Sequence, residues 1–254
     1  MSIAIVTGAS SGIGSELARN LNTYVSVDEI WAIARRADRL EALKEKVNVK
    51  IVPVPLDLAD TASLKTLEEM LNRSGKKVSV VINCAGYGKF GSYSDIPNDE
   101  ALGMIDLNCR ALVGVTNIAL PFMEKGGKIL QICSISSFQP LPLMSVYAAS
   151  KVFVLNYSRA LSVELKPRGI TVTALCPGWV NTDFFATATD TKNPKAVTKY
   201  SFMQTADRVA KQGLKAMQKG KRLSIVGFPS KILYVLGKIL PVNFIMNMWL
   251  KTQK

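Results

Sequence analysis

Apolar residues along this 254-residue chain come in short runs rich in valine and isoleucine, spaced by longer stretches with helical periodicity. The runs at residues 2–7, 29–34, 50–54, 78–82, 128–133, 169–175 and 223–226 read as buried strands. Between them, residues 16–22, 37–46, 61–72, 98–124, 147–166 and 207–219 read as helices, with Thr61 placed to cap the third. Regular alternation of the two predicts an α/β fold, a Rossmann-like doubly wound parallel sheet of about seven strands flanked by helices. Residues 1–228 make a single domain with an irregular lid at about 179–205, and residues 229–254 form an apolar, basic extension. No linker, repeat or low-complexity tract marks a second domain. A strand expected from residue 3 leaves no room for a signal or transit peptide.

Ligands in open α/β sheets sit at the carboxyl ends of the strands, so the residues there come next. Gly8-Ala9-Ser10-Ser11-Gly12-Ile13-Gly14 follows the first strand and opens the first helix. Gly8 permits the sharp turn, Gly12 lets a diphosphate approach the backbone, and Gly14 allows the helix to pack close on the sheet. The second strand ends in Ala34-Arg35-Arg36 with no carboxylate. A basic tip suits the 2′-phosphate of NADP, whereas an acidic one suits the ribose of NAD. Arg35, helped by Ser10 or Ser11, therefore argues for NADP(H); Arg36 and Arg39 read as ordinary solvent-facing arginines. The third strand leads to Asp57, the fourth closes with Asn83-Cys84-Ala85-Gly86, and the fifth delivers Ser134, Ser136 and Ser137. Ser136 and Ser137 read as turn-forming hydroxyls without a catalytic role. Asn108 lies inside an apolar helical stretch, where propensity disfavours it, and calls for a buried partner or a function.

Tyr147 and Lys151 stand four residues apart, hence on one face of a helix. A nearby ammonium stabilises a phenolate, lowers the phenol's pKa and makes it a usable proton donor and acceptor. Composition removes competitors. There is no histidine, which excludes Ser-His-Asp triads, HExxH metalloproteases and His-ligated metals. Cys84, Cys109, Cys133 and Cys176 lack CxxC spacing and read as buried free thiols in a reducing, cytoplasmic setting. The net charge of +13 is uneven, with no acidic residue after Asp207. Such asymmetry suits an anionic neighbour or simply a solvated basic face.

Assembled, these residues resemble the short-chain dehydrogenase/reductase family from Ser2 to about Val226. The glycine-rich turn looks like the family's cofactor signature, Asn83-Cys84-Ala85-Gly86 its Asn-x-Ala-Gly motif, and Pro177-Gly178 the turn after its sixth strand. Ser134, thirteen residues before Tyr147, has the spacing of the family's serine, and Asn108 that of its helix-kinking asparagine. The resemblance implies hydride transfer between NADP(H) and a ketone or secondary alcohol, with Tyr147 as acid and base. Lys151 would lower the Tyr147 pKa and bond the nicotinamide ribose, Ser134 would stabilise the carbonyl oxygen, and Asn108 would hold a relay water. Gly8, Ser10, Ser11, Gly12, Ile13, Gly14, Asp57, Leu58, Asn83, Ala85, Gly86, Pro177, Gly178, Val180 and Thr182 would complete the cofactor site. No metal is implied.

Phe138, Leu141, Leu143, Met144, Trp179, Phe184 and Phe185, in the loop before Tyr147 and in the lid, suggest an apolar pocket. The substrate would then be a lipophilic carbonyl or alcohol, of steroid, fatty or isoprenoid type. The chain is expected to form a homodimer or homotetramer, and residues 229–254 suit peripheral contact with an anionic membrane, a homodimer contact, or a flap over the substrate entrance. A non-catalytic NADP(H)-binding regulator is the alternative reading, although it would normally lack one of Ser134, Tyr147 and Lys151. Few aromatics interleave with the basic residues of the tail, so nucleic acid is not expected.

Overall fold

A computed structural model describes residues 1–253. Seven parallel strands form the central sheet: β1 (Ser2–Thr7), β2 (Glu29–Ala34), β3 (Lys50–Pro55), β4 (Lys77–Asn83), β5 (Lys128–Ile132), β6 (Thr171–Cys176) and β7 (Leu223–Ile225). Their spatial order is β3-β2-β1-β4-β5-β6-β7. The chain thus starts at the centre, winds outward to β3, then crosses to β4 and winds the other way. The crevice between β1 and β4 is a topological switch point, where such folds bind ligands.

Successive residues of β1 feed opposite faces of the sheet, as the pleat requires. Ala4 and Val6 join a core with Leu17 of α1 (Gly12–Asn20) and Leu214 of α8 (Ala206–Gln218). Ile3 and Ile5 join another with Leu67 of α3 (Thr61–Ser74), Val115 of α5 (Leu112–Ala119) and Leu161 of α6 (Ser145–Glu164). Both faces are covered, which is why the strands are apolar throughout rather than alternating. The remaining helices are α2 (Ala37–Lys44), α4 (Asn98–Ile105), α7 (Phe184–Ala188), α9 (Phe228–Ile239) and α10 (Val242–Gln253).

Three details differ from the sequence reading. The helix expected to run from residue 98 to 124 is broken: α4 ends at Ile105, Asp106–Ala111 forms a π-helical turn, and α5 follows. The physical reason is Asn108, whose Oδ1 accepts from the Tyr87 N–H at 3.0 Å while Nδ2 donates to the Tyr87 carbonyl at 2.9 Å. Drawing that side chain out to another backbone segment accommodates an extra residue in the turn. At α3 the cap is Asp60, which accepts from Ala62 N–H at 2.9 Å, and Thr61 is already helical. The lid is not wholly irregular, since Val180–Asn181 pairs with Gln204–Thr205 on either side of α7. No described helix is long and apolar enough to cross a membrane.

Candidate active site

At the carboxyl end of the sheet lies a cavity of about 1040 Å³. Its floor is the turn between β1 and α1. Gly8 and Gly12 adopt positive φ of 69° and 54°, and a Cβ on Gly14 would meet the Gly8 carbonyl oxygen at 2.1 Å. Ser11 precedes α1 in an extended conformation and makes no side-chain cap. The first-turn N–H groups of α1 are therefore left for an anion from outside, which the positive helix end favours. Ala85 N–H and Cys84 N–H both bond Thr7 Oγ1 at 3.0 Å, tying the end of β4 to β1 across the crevice. This cradle fits the diphosphate of a dinucleotide.

Just beyond β3, Asp57 Oδ1 accepts from Ala59 N–H at 3.0 Å, and Leu58 lines the wall. Arg35 is 76% exposed and lies 3.9 Å from Asp57. Arg36 is not the idle surface residue expected from the sequence. Its Nη2 donates to Ser11 Oγ at 2.9 Å and to Ser10 Oγ at 3.2 Å, so it joins the turn of α1 to the tip of β2. Arg39 donates to Asp183 Oδ2 at 2.9 Å, across 144 residues of sequence, and Arg36 stands 3.9 Å from the same carboxylate. Asp183 follows Thr182, whose methyl sits 3.0 Å from where a Gly12 Cβ would lie. Nothing in the sequence points to Asp183; the Arg35-Arg36 pair beside Ser10-Ser11 is the available signal for the arginine cluster.

Ser134, Tyr147 and Lys151 converge on the middle of the cavity. Ser134, two residues beyond β5, has extended backbone, and Ser136 N–H donates to its Oγ at 3.1 Å, which fixes the hydroxyl in a tight turn. The first turns of α6 present Tyr147 and Lys151, with Lys151 Nζ 5.9 Å from the phenol ring centroid. Lys151 is buried and donates to the Ile132 carbonyl at 3.0 Å. Burial lowers its pKa, and burial pushes the Tyr147 phenol up to about 12, with the Ser134 hydroxyl acting in the opposite direction. Burial opposes the lowering of Tyr147 that the sequence led one to expect from Lys151, and it sets the net direction. Desolvation dominates, and the ammonium spends a proton on the end of β5.

Two expected site residues lie outside the cavity wall. Asn83 is buried behind it and donates to Thr116 Oγ1 at 2.9 Å, so its part is to brace β4 against α5. Asn108 is also fully buried, and its Nδ2 reaches Ser150 Oγ at 3.0 Å besides the Tyr87 backbone. It joins α6 to the loop after β4 at Tyr87. Gly8, Ser10, Ser11, Gly12, Ile13, Gly14, Ala85, Gly86, Pro177, Gly178, Val180 and Thr182 all border the cavity. Four cysteines are free; Cys84 and Cys133 line it, and burial holds the Cys84 thiol up at about 12, an inert form. No metal-binding cluster occurs among the described residues.

The far wall is aromatic and aliphatic. Phe184 packs on Tyr147 with centroids 5.5 Å apart, and Trp179 meets Trp249 of α10 at 6.5 Å. Trp249 Nε1 donates to the Pro142 carbonyl at 2.8 Å, and Gln253 Oε1 accepts from Thr198 and Lys199 N–H. α10 is therefore a wall of the cavity, stitched to both the loop before Tyr147 and the lid.

A family model described as short chain dehydrogenase matches residues 2–193. A probable short-chain type dehydrogenase/reductase of Helicobacter pylori, VdlC, is 32% identical over 95% of this chain and 94% of its own length. Glycine betaine reductase ATRR of Emericella nidulans is 34% identical over 78% of this chain, which spans only 16% of that protein. Among solved structures, a short-chain dehydrogenase from Sphingobium yanoikuyae in complex with NADPH superposes with a TM-score of 0.78. It is 25% identical and covers 94% of this chain and 93% of its own.

Proposed function

We propose that this chain, which belongs to the short-chain dehydrogenase/reductase family, interconverts a lipophilic ketone and its secondary alcohol with NADP(H). The observation that carries the reading is convergence: Ser134, Tyr147 and Lys151 meet in one cavity between a diphosphate cradle and an apolar wall. The cofactor, when bound, supplies or accepts the hydride at the carbonyl carbon. The chain's own residues handle the oxygen. In reduction, Tyr147 Oη delivers a proton to the carbonyl oxygen as negative charge develops there. Ser134 Oγ–H donates to the same oxygen, in a buried site where a fixed donor counts for more than in water. Lys151, held by the Ile132 carbonyl, keeps a positive charge beside the phenolate left behind. Asn108 acts indirectly by fixing the π-helical turn and α6.

Preference for NADP(H) is supported by Arg35 and Arg36 beside Ser10 and Ser11. A lipophilic substrate is supported by the wall of Trp179, Phe184, Phe185 and Trp249. The test is oxidation of NADPH and NADH with steroid, fatty and small polar ketones, run beside Tyr147→Phe. Turnover should prefer NADPH and fall by about 10²–10⁴ in the variant, the range for a lost general acid, while NADPH still binds. No turnover on any ketone, with tight NADPH binding, would replace this reading with a regulatory one.

A further inference from the structure

Helix α9 has two faces of different fate. Its inner face packs: Tyr234 meets Phe138 edge-on at 4.6 Å, Ser230 is buried, and Gly237 lies against Gln139. Its outer face carries Phe228, Ile232, Val235 and Ile239, spaced at i, i+4, i+7 and i+11 and all exposed, up to 74% at Phe228 and 70% at Ile239. That spacing is one continuous stripe. α10 adds exposed Val242, Phe244 and Met248, and the lid adds Phe202 and Met203. Runs of exposed apolar residues on this scale mark an interaction surface rather than ordinary exterior.

The charge around the stripe selects the partner. Lys231 and Lys238 each stand one position before a stripe residue, Lys251 is exposed on α10, and no acidic residue follows Asp207. Two copies meeting through α9–α10 about a two-fold axis would bring together helices that carry lysines and no carboxylate of their own. An anionic bilayer meets both demands at once: acyl chains take the apolar stripe and headgroups take the lysines. We propose that the outer face of α9–α10 docks on an anionic phospholipid bilayer. Phe202 and Met248 are exposed and also line the cavity, so docking sets the cavity mouth at the lipid interface. A lipophilic substrate would then enter without crossing water. Docking itself holds whatever carbonyl is turned over.

The experiment is co-sedimentation of the full chain with phosphatidylcholine vesicles, with and without about one-third phosphatidylserine. The comparison variant is Val235→Glu/Ile239→Glu, neither residue lining the cavity, with its NADPH affinity and melting temperature as fold controls. The wild type should sediment with the anionic vesicles only, and the bound fraction should fall about tenfold at high salt and in the variant. Loss of binding in Lys231→Gln/Lys238→Gln, again with the fold intact, would support the same arrangement. Failure to sediment with either vesicle, or equal sedimentation by the variant, would overturn the proposal. So would a dimer that the Glu variant splits, with no vesicle binding, since the face would then belong to a second copy.

Discussion

The two ends of the cavity are built by different means. The cofactor end is backbone: positive-φ glycines, an uncapped helix start and strand ends that approach closely. The other end is side chain: Trp179, Phe184, Phe185 and Trp249 line it, with Phe90 and Tyr200 packed behind them in one aromatic cluster. Backbone cradles tolerate few replacements, because a Cβ on Gly14 would collide with a carbonyl that cannot yield. Aromatic walls tolerate many, because volume rather than identity is what they supply. One end is therefore suited to a fixed ligand and the other to a variable one.

The largest effect that separates the ends should come from Arg35→Ala. Losing a charge-assisted contact to a phosphate costs about 1.5–3 kcal/mol, so NADPH should bind some 10–100-fold more weakly. NADH, lacking the 2′-phosphate, should bind as before. Fluorescence titration of both cofactors measures this directly. An unchanged NADPH affinity would move the phosphate seat to Arg36, which already bonds Ser10 and Ser11.

A smaller effect, at the other end, is expected of Trp249→Ala. The ring is half-buried, stacks on Trp179 and bonds the Pro142 carbonyl. Its loss should raise KM for bulky ketones by about tenfold and lower stability by ~1–3 kcal/mol, below the cost of a fully buried aromatic. Cofactor affinity should not move. Steady-state kinetics with a long and a short ketone, beside thermal melting, tests it. Equal KM values in variant and wild type would reduce α10 to packing alone.

What the sequence made legible follows the same division. Strand runs, the glycine turn and the Tyr147–Lys151 spacing are local, so adjacent residues carry them, and the seven-strand parallel sheet could be anticipated. The break at Asn108 was visible only as a misfit polar residue; the hydrogen bonds to Tyr87 that explain it span 21 positions. The aromatics of the lid were recognised as apolar, but their meeting with Trp249 was not. Nothing local marks which face of the C-terminal helices turns inward, since Leu233 and Ile232 are equally apolar. The electrostatics of Tyr147 were only partly legible for a related reason. Spacing revealed the lysine, whereas the degree of burial that sets the phenol near 12 depends on the whole cavity.

Asp183 is where the two ends touch, and it supplies the subtlest test. It belongs to the lid, yet its carboxylate lies 2.9 Å from Arg39 and 3.9 Å from Arg36 at the cofactor end. There it would compete with a 2′-phosphate that reached Arg36 for that guanidinium. Removing its charge in Asp183→Asn should leave more positive potential at the site and tighten NADPH, leaving NADH unchanged. All three side chains are about half exposed, so screening limits the gain to roughly 0.5–1 kcal/mol, or two- to fivefold. The effect should shrink as salt is raised. Weaker NADPH binding in the variant, with faster release in stopped flow, would show instead that Asp183 and Arg39 form a strap holding the cofactor in. The lid would then serve both ends, and the division between them would be less complete than their construction suggests.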